Sequence, residues 1–448
     1  MEPLNNKAAF NPKWLVFIGL ILLSLGLLFG LTGALQYIIP TLFKNYLSFE
    51  KVRPLHVSSV VFWIMTGATG AVLSYLDERF GQTKNSATLG KIQLLLFIGS
   101  MFTALLLYCF GFFGGREYWE FPPILILPIL AGWILFIINV FTHIENWRQQ
   151  PVYIWMWCTG AIFFLFTLSE SYLWVIPYFR KNVINDMTVQ WKSYGSMVGA
   201  WNMLIYGSSI YLMEKISGDH KHGQSKTAFI LYFAGLTNLM FNWGHHIYTL
   251  PTAHYIKHVS YIISMSELFI FAHIVWQWRS TLATINKYKN ILAYQLLSSA
   301  DLWVFLTLLL AILMSIPAIN VYTHGTHITV AHAMGSTIGI NTFLLLAFAV
   351  DLISTKSNKH QTAIKRGIIV ANIGLFVFWI SFIIAGILKA KWQMSSNKAN
   401  FSEMMEQLKP IFKTIFVSGI VLVTGLFFII IPLLRKFYQT TCCKPKTN

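Results

Sequence analysis

The sequence predicts an all-α, polytopic membrane protein, a bundle of about twelve transmembrane helices. Two observations carry this prediction. Of its 448 residues, 56% are hydrophobic and 11% are charged, which is far from the average of soluble domains. Apolar runs long enough to cross about 30 Å of hydrocarbon also recur along the whole chain. Residues 1–448 are therefore expected to form a single transmembrane domain in membrane lipid, with spans from about 14 to 434 and short cytoplasmic tails.

Apolar runs separated by polar residues give the approximate limits of the spans. They are 14–37, 54–76, 92–114, 122–142, 152–176, 194–213, 227–248, 256–280, 300–318, 328–353, 367–388 and 412–434. Lys and Arg favour the loops on the side of the N-terminus, so the positive-inside rule places that terminus in the cytoplasm. We expect a multi-pass protein of the bacterial inner membrane.

Composition and motifs argue against two other classes of protein. The net charge of +17 comes from basic residues scattered through short loops, without the basic stripe and interleaved aromatics of a nucleic-acid binder. Twelve spans also describe many secondary transporters, but the sequence shows no two-half repeat and no pair of interrupted helices.

A histidine-rich stretch, YTHGTHITVAHAMG, opens the tenth predicted span. At about 100° per residue, His332 and Met334 point to nearly opposite sides of one helix, which could thus ligate two metal centres. Imidazole and thioether suit haem iron better than magnesium or calcium. The alternative is that both side chains only pack against neighbours, while His324 and His327 cap a loop.

Further histidines are predicted at the same depth, near the outer face. His56 opens the second span, and His245 and His246 close the seventh. With His332 opposite, the adjacent pair forms a candidate binuclear site, in which a non-haem metal sits over an open haem face. His56 and Met334 would then ligate a second, six-coordinate haem on the other side of the tenth span.

Five ordered segments resemble the haem-copper oxidase superfamily (subunit I), and within it the catalytic large subunit of cytochrome c-dependent nitric oxide reductases. They are RPLH at 53–56, GREYWEFPP at 115–123, PVYIWMWCTG at 151–160, WGHH at 243–246 and YTHGTHITVAH at 322–332. RPLH is equally similar to the cbb-type oxygen reductases. The GREYWE, WGHH and THGT segments favour the nitric oxide branch.

The resemblance implies two b-type haems, the low-spin one held by His56 and the high-spin one by His332. It also implies a non-haem iron or copper bound by His245 and His246. Met334 stands where the family has a second histidine. Because His/Met ligation stabilises ferrous haem, we expect a low-spin haem of unusually high potential.

Three carboxylates take their roles from the same resemblance. Glu117 and Glu120 resemble residues near a calcium ion that bridges haem propionates, and oxygen ligands suit that ion. Glu267, in the eighth span, resembles a buried glutamate that passes protons near the active centre. The alternatives are a helix cap for the first two and a hydrogen bond to a neighbouring helix for Glu267.

The sixth span departs from the family pattern. Tyr194, Val198 and Asn202 stand where the family has one histidine and two glutamates. Tyr194 is a candidate catalytic residue that could ligate through its phenolate or donate a proton, and the alternative is an interfacial aromatic. A non-haem iron site of three histidines and a glutamate is therefore not supported.

The expected activity is reduction of a small diatomic substrate, nitric oxide to nitrous oxide. No CxxCH haem-attachment motif occurs, so electrons must come from a cytochrome c-containing small subunit or another outer donor. The alternatives are a cbb-type-like oxygen reductase, with cytochrome c oxidase activity, and a divergent relative that converts nitric oxide without net reduction or has lost turnover.

Overall fold

The computed structural model describes residues 9–220, 222–266, 290–353, 357–396 and 400–441, and in these ranges the chain forms helices and no strand. The helices are α1 (Lys13–Ile38), α2 (Phe49–Phe80), α3 (Lys84–Cys109), α4 (Ile126–Thr142), α5 (Val152–Glu170), α6 (Pro177–Arg180), α7 (Val183–Ser217), α8 (Lys226–Phe241), α9 (254–266), α10 (Ile291–Ser315), α11 (Pro317–Thr323), α12 (His327–Met334), α13 (Phe343–Leu352), α14 (Asn358–Met394) and α15 (Phe401–Thr441). The prediction of an all-α polytopic bundle is confirmed.

Nine helical stretches of the described chain are long and apolar enough to cross a membrane. The predicted spans at 194–213 and 227–248 fall on α7 and on α8 with the 3₁₀ segment Asn242–Ile247 that follows it. The predicted span at 256–280 begins in α9 and continues into residues outside the described ranges.

Helix ends differ from the predicted limits where polar residues extend a helix beyond the apolar run. α3 was expected at 92–114 but begins at Lys84 and ends at Cys109. A capping box starts it, because Thr83 Oγ1 accepts from Ser86 N at 3.1 Å and Ser86 Oγ from Thr83 N at 3.2 Å. Gly111, with φ of +79°, lies just beyond its end. Hydropathy does not register such signals.

Close helix contacts position α12 inside the bundle. α12 packs against α14, and the segment after it packs against α10. A Cβ on Gly386 of α14 would lie 2.4 Å from Ile328 Cγ1, and one on Gly425 of α15 would lie 2.3 Å from Ala371 N. Small residues at such crossings let membrane helices approach closely. The histidine-rich helix is thereby held between α10 and α14.

Candidate metal centres

The helix that carries the histidine-rich stretch changes its winding just after the candidate ligands. α12 ends at Met334 and continues directly as a π-helical segment, Gly335–Thr342. Such segments are rare and occur frequently at functional sites. A Cβ on Gly339 would lie 2.5 Å from Trp303 Cγ, so glycine lets the π segment lie tightly on α10.

One cavity carries both predicted ligands of the low-spin centre. Its volume is about 260 Å³, and His56 of α2 and Met334 of α12 both line it. The remaining walls are mostly aliphatic and aromatic side chains of α1, α14 and α15. An apolar cavity that presents one imidazole and one thioether fits a haem.

The backbone of α1 orients the imidazole of His56. Its Nδ1 lies 2.7 Å from the carbonyl oxygen of Gly26. A carbonyl can only accept, so Nδ1 carries the proton and Nε2 keeps a free lone pair. A Cβ on Gly30 would lie 2.9 Å from the same ring, and glycine there lets the imidazole rest on α1.

A third residue on this cavity, His327, was missed by sequence reasoning, which considered it only as a loop cap. His327 lines the cavity together with His56 and Met334. It stands seven positions before Met334, so the two side chains lie on nearly one face of the helix, two turns apart. The seven-residue spacing between His327 and Met334 is the sequence feature that could have predicted their common cavity.

His245 and His246 lie on the 3₁₀ segment after α8, with ring centroids 4.2 Å apart and planes 33° apart. The Nδ1 of His245 donates to Asn242 Oδ1 at 2.9 Å, which leaves Nε2 free for a metal. Asn242 Oδ1 also accepts from Ser264 Oγ, so α9 helps to orient the imidazole of His245.

His332 lies on the opposite side of α12 from Met334. His332 is close enough to His245 and His246 for their charges to interact, and its own Nδ1 is buried without a well-formed hydrogen bond to the described residues. Within the described ranges, no three His, Cys, Asp or Glu side chains stand together as a group that could hold a metal ion. Among the described residues, the two histidines alone are therefore an incomplete candidate ligand set.

The α7 residue that lies directly against the histidine pair is Gly195. A Cβ at this position would lie 2.6 Å from Cδ2 and 2.9 Å from Nε2 of His246. Glycine thus leaves room for the imidazole, and the close contact fixes the position of the ring. The family pattern points to the neighbouring Tyr194. The contact of Gly195 with His246 is visible only in the packing of the folded chain.

Tyr194 is buried beside the GREYWE loop. Its ring meets that of Tyr118 edge to face at 4.9 Å, and its buried hydroxyl has no hydrogen-bond partner in the described part of the chain. Tyr118 has φ of +67°, a left-handed conformation that a residue of this size rarely adopts. Of the other two substituted positions, Val198 packs against the core, and the buried Oδ1 of Asn202 likewise lacks a described partner.

Glu117 and Glu120, the predicted calcium-site residues, both pair with one arginine. Arg53 Nη2 lies 2.6 Å from Glu117 Oε1, and Arg53 Nη1 lies 2.6 Å from Glu120 Oε1. Burial raises the pKa of Glu120 and Arg53 opposes this shift. Calcium requires six to eight oxygen ligands, and here a guanidinium already stands between the two carboxylates. The arrangement does not fit the predicted calcium ion.

Glu267, the predicted proton-passing carboxylate, lies outside the described residues.

The fold and the cavity define a polytopic helical membrane protein that presents imidazole and thioether groups in its interior. A family model described as "Cytochrome C and Quinol oxidase polypeptide I" matches residues 12–421. The chain belongs to this family, the subunit I family of the haem-copper oxidases. It is therefore a haem-containing membrane oxidoreductase, in a family that carries haems and a non-haem or copper centre.

Individual relatives are distant. The chain is 22% identical to a nitric oxide reductase subunit of Stutzerimonas stutzeri, over 92% of this chain and 91% of that protein. It is 21% identical to the Cbb3-type cytochrome c oxidase subunit CcoN1 of the same organism, over 85% of this chain and 84% of that protein. A solved haem-copper terminal oxidase dimer has a TM-score of 0.73 at 12% identity, covering 98% of this chain and 85% of that one.

Proposed function

We propose that this chain is the catalytic subunit of a membrane enzyme that reduces nitric oxide to nitrous oxide. One observation carries the proposal, namely that the candidate ligands divide across α12. His56 and Met334 line one cavity, and His332, on the opposite side of α12 from Met334, lies near enough to His245 and His246 to influence their charge. In this proposal one helix would separate an electron-transfer centre from a substrate-reducing centre.

The free Nε2 atoms of His56 and His245 support the ligand roles in this proposal. His56, with its Nε2 free, and the Met334 thioether would hold a low-spin b-type haem, and His332 a high-spin one. His245 and His246 would hold a non-haem iron or copper. When bound, these groups supply electron transfer and the site at which the diatomic substrate is reduced.

Reduction of two nitric oxide molecules consumes two electrons and two protons and releases nitrous oxide and water. The protons require acidic groups near the centre. Two described groups are candidates, the buried hydroxyl of Tyr194 and the Oε2 of Glu120, and neither has a hydrogen-bond partner among the described residues. Glu267 is the further candidate implied by the resemblance. In this proposal Tyr194 acts as a proton donor and not as a metal ligand, because its ring contacts Tyr118.

Electrons would enter from outside. In this proposal the protein lies in the bacterial inner membrane with a cytoplasmic N-terminus, and the donor is a cytochrome c-containing small subunit or another outer carrier. The candidate sites would then lie in the outer half of the bundle, which shortens the path from such a donor.

Two alternatives have specific support. The RPLH segment and the similarity to CcoN1 favour an oxygen reductase. The second is conversion of nitric oxide without net reduction, because α7 places glycine against His246 and supplies no carboxylate at Val198 or Asn202.

Turnover with a reduced donor separates these possibilities. We expect purified enzyme under anaerobic conditions to form one nitrous oxide for every two donor electrons. Rapid oxygen uptake without nitrous oxide would assign the oxygen reductase. Nitric oxide loss without donor oxidation would assign the non-reducing reaction.

A further inference from the structure

The cavity shared by His56 and Met334 has a markedly uneven lining. Among the described residues that line it, only four carry a polar N–H or O–H group in the side chain, and they are Tyr37, Arg53, His56 and His327. A haem carries two carboxylates, and burying an unpaired carboxylate in apolar surroundings is very costly. A haem carboxylate buried in this cavity would therefore need a partner from this small polar set.

Three of the four polar residues are already engaged or lie at the rim. His56 gives Nδ1 to Gly26 and keeps Nε2 for the metal. Both terminal nitrogens of Arg53 pair with the carboxylates of Glu117 and Glu120. Tyr37 is 45% exposed.

His327 is different, because its Nδ1 is buried and has no hydrogen-bond partner within the described ranges. The ring is held between aromatic neighbours, with its centroid 5.4 Å from that of Phe412 and 6.3 Å from that of Phe382. A buried polar atom without a partner in a packed aromatic setting indicates a ligand that supplies the partner.

The position of His327 on α12 makes it an edge contact, not an iron ligand competing with Met334. Seven residues along a helix correspond to two turns and a rise of about 10 Å. A positive charge also lies near this end of the cavity, where it would favour a carboxylate. Lys389 is near His327 and donates to the Gly325 carbonyl oxygen at 2.9 Å.

We propose that His327 is a positioning residue that donates a hydrogen bond from Nδ1 to a carboxylate of the low-spin haem. The inference rests on the two-haem arrangement of the proposed function, but not on the identity of the substrate. Donation to the carboxylate withdraws negative charge from the ferric haem. Loss of the bond should therefore stabilise the ferric state and lower the reduction potential.

The test is spectroelectrochemical titration of purified full-length protein, with haem content and near-infrared magnetic circular dichroism measured on the same samples. His327→Phe removes the donor and keeps an aromatic ring, His327→Gln restores a donor, and His258→Phe controls for loss of an exposed histidine on α9. We expect a lower midpoint for the low-spin haem in His327→Phe and partial recovery in His327→Gln. The high-spin haem and His258→Phe should match wild type.

Several outcomes would overturn the inference. An unchanged midpoint in His327→Phe excludes the bond, and loss of the thioether signal would make His327 part of the iron ligation. If His327→Phe does not accumulate, the haem content of His327→Gln is compared with that of Met334→Ala. Equal haem loss in these two variants would also make His327 part of the iron ligation and would overturn the inference. Wild-type protein with fewer than two haems would instead refute the proposed function, so the two failures are distinguishable.

Discussion

Replacing Gly195 with alanine tests the candidate non-haem centre through packing alone. The new methyl group would lie 2.6 Å from His246 Cδ2, whereas ordinary contact begins at 3.4 Å. The imidazole or α7 must therefore retreat by about 0.8 Å, given how tightly interiors are packed. Ligand distances in metal sites hold to about 0.2 Å, so the shift should release or weaken the metal.

The expected size of the effect follows from this displacement. Overpacking of this kind costs about 1–3 kcal/mol in stability. A misplacement of about 1 Å at a reacting centre costs about 100-fold in rate. Gly195→Ala should therefore fold, keep both haems, lose most of the non-haem metal and slow turnover by about two orders of magnitude.

Gly199→Ala is the matched control, one turn further along α7. Its methyl group would meet Leu239 Cδ1 at 2.9 Å, a comparable clash with an aliphatic side chain. We expect the two variants to have the same haem spectra. They should differ in non-haem metal content, measured by elemental analysis, and in turnover rate. A Gly195→Ala protein with full metal content and wild-type turnover would refute the placement of the centre at His246.

Three further predictions test the neighbouring groups. Met334→His should replace the thioether signal with a bis-histidine spectrum and lower the midpoint of the low-spin haem, and an unchanged midpoint would exclude Met334 as the ligand. Chelation with EGTA should leave the melting temperature unchanged because Arg53 already joins the two carboxylates, whereas Arg53→Gln should destabilise the protein by about 1–2 kcal/mol in a thermal unfolding assay. Stabilisation of wild type by added calcium would contradict this. Tyr194→Phe should retain the metal but slow turnover by about 100-fold through loss of a proton donor, and loss of the metal would instead make Tyr194 a ligand.

The sequence predicted the helical bundle well because hydropathy reflects the thickness of the bilayer. It predicted helix ends less well, as α3 shows, because Thr83 and Ser86 start the helix by hydrogen bonds that hydropathy does not measure. The grouping of His332 with His245 and His246 was predicted from span order and helix direction, and it stays a prediction.

Other parts of the site depend on tertiary contacts. Nothing in the sequence shows that Gly195 abuts His246 or that Arg53 joins Glu117 and Glu120, since these residues are far apart along the chain. His327 could have been found from its seven-residue spacing to Met334. That its nitrogen lacks a partner among the described residues, however, is visible only in the folded protein.

A haem and metal count on purified protein, together with electron paramagnetic resonance, tests the central claim most directly. That claim is that α12 separates a His56/Met334 haem from a high-spin haem beside a third metal. We expect two b-type haems and one non-haem metal per chain, with magnetic coupling between the high-spin haem and that metal when the metal is iron or copper. A single haem, or two haems with bis-histidine ligation and no third metal, would contradict it.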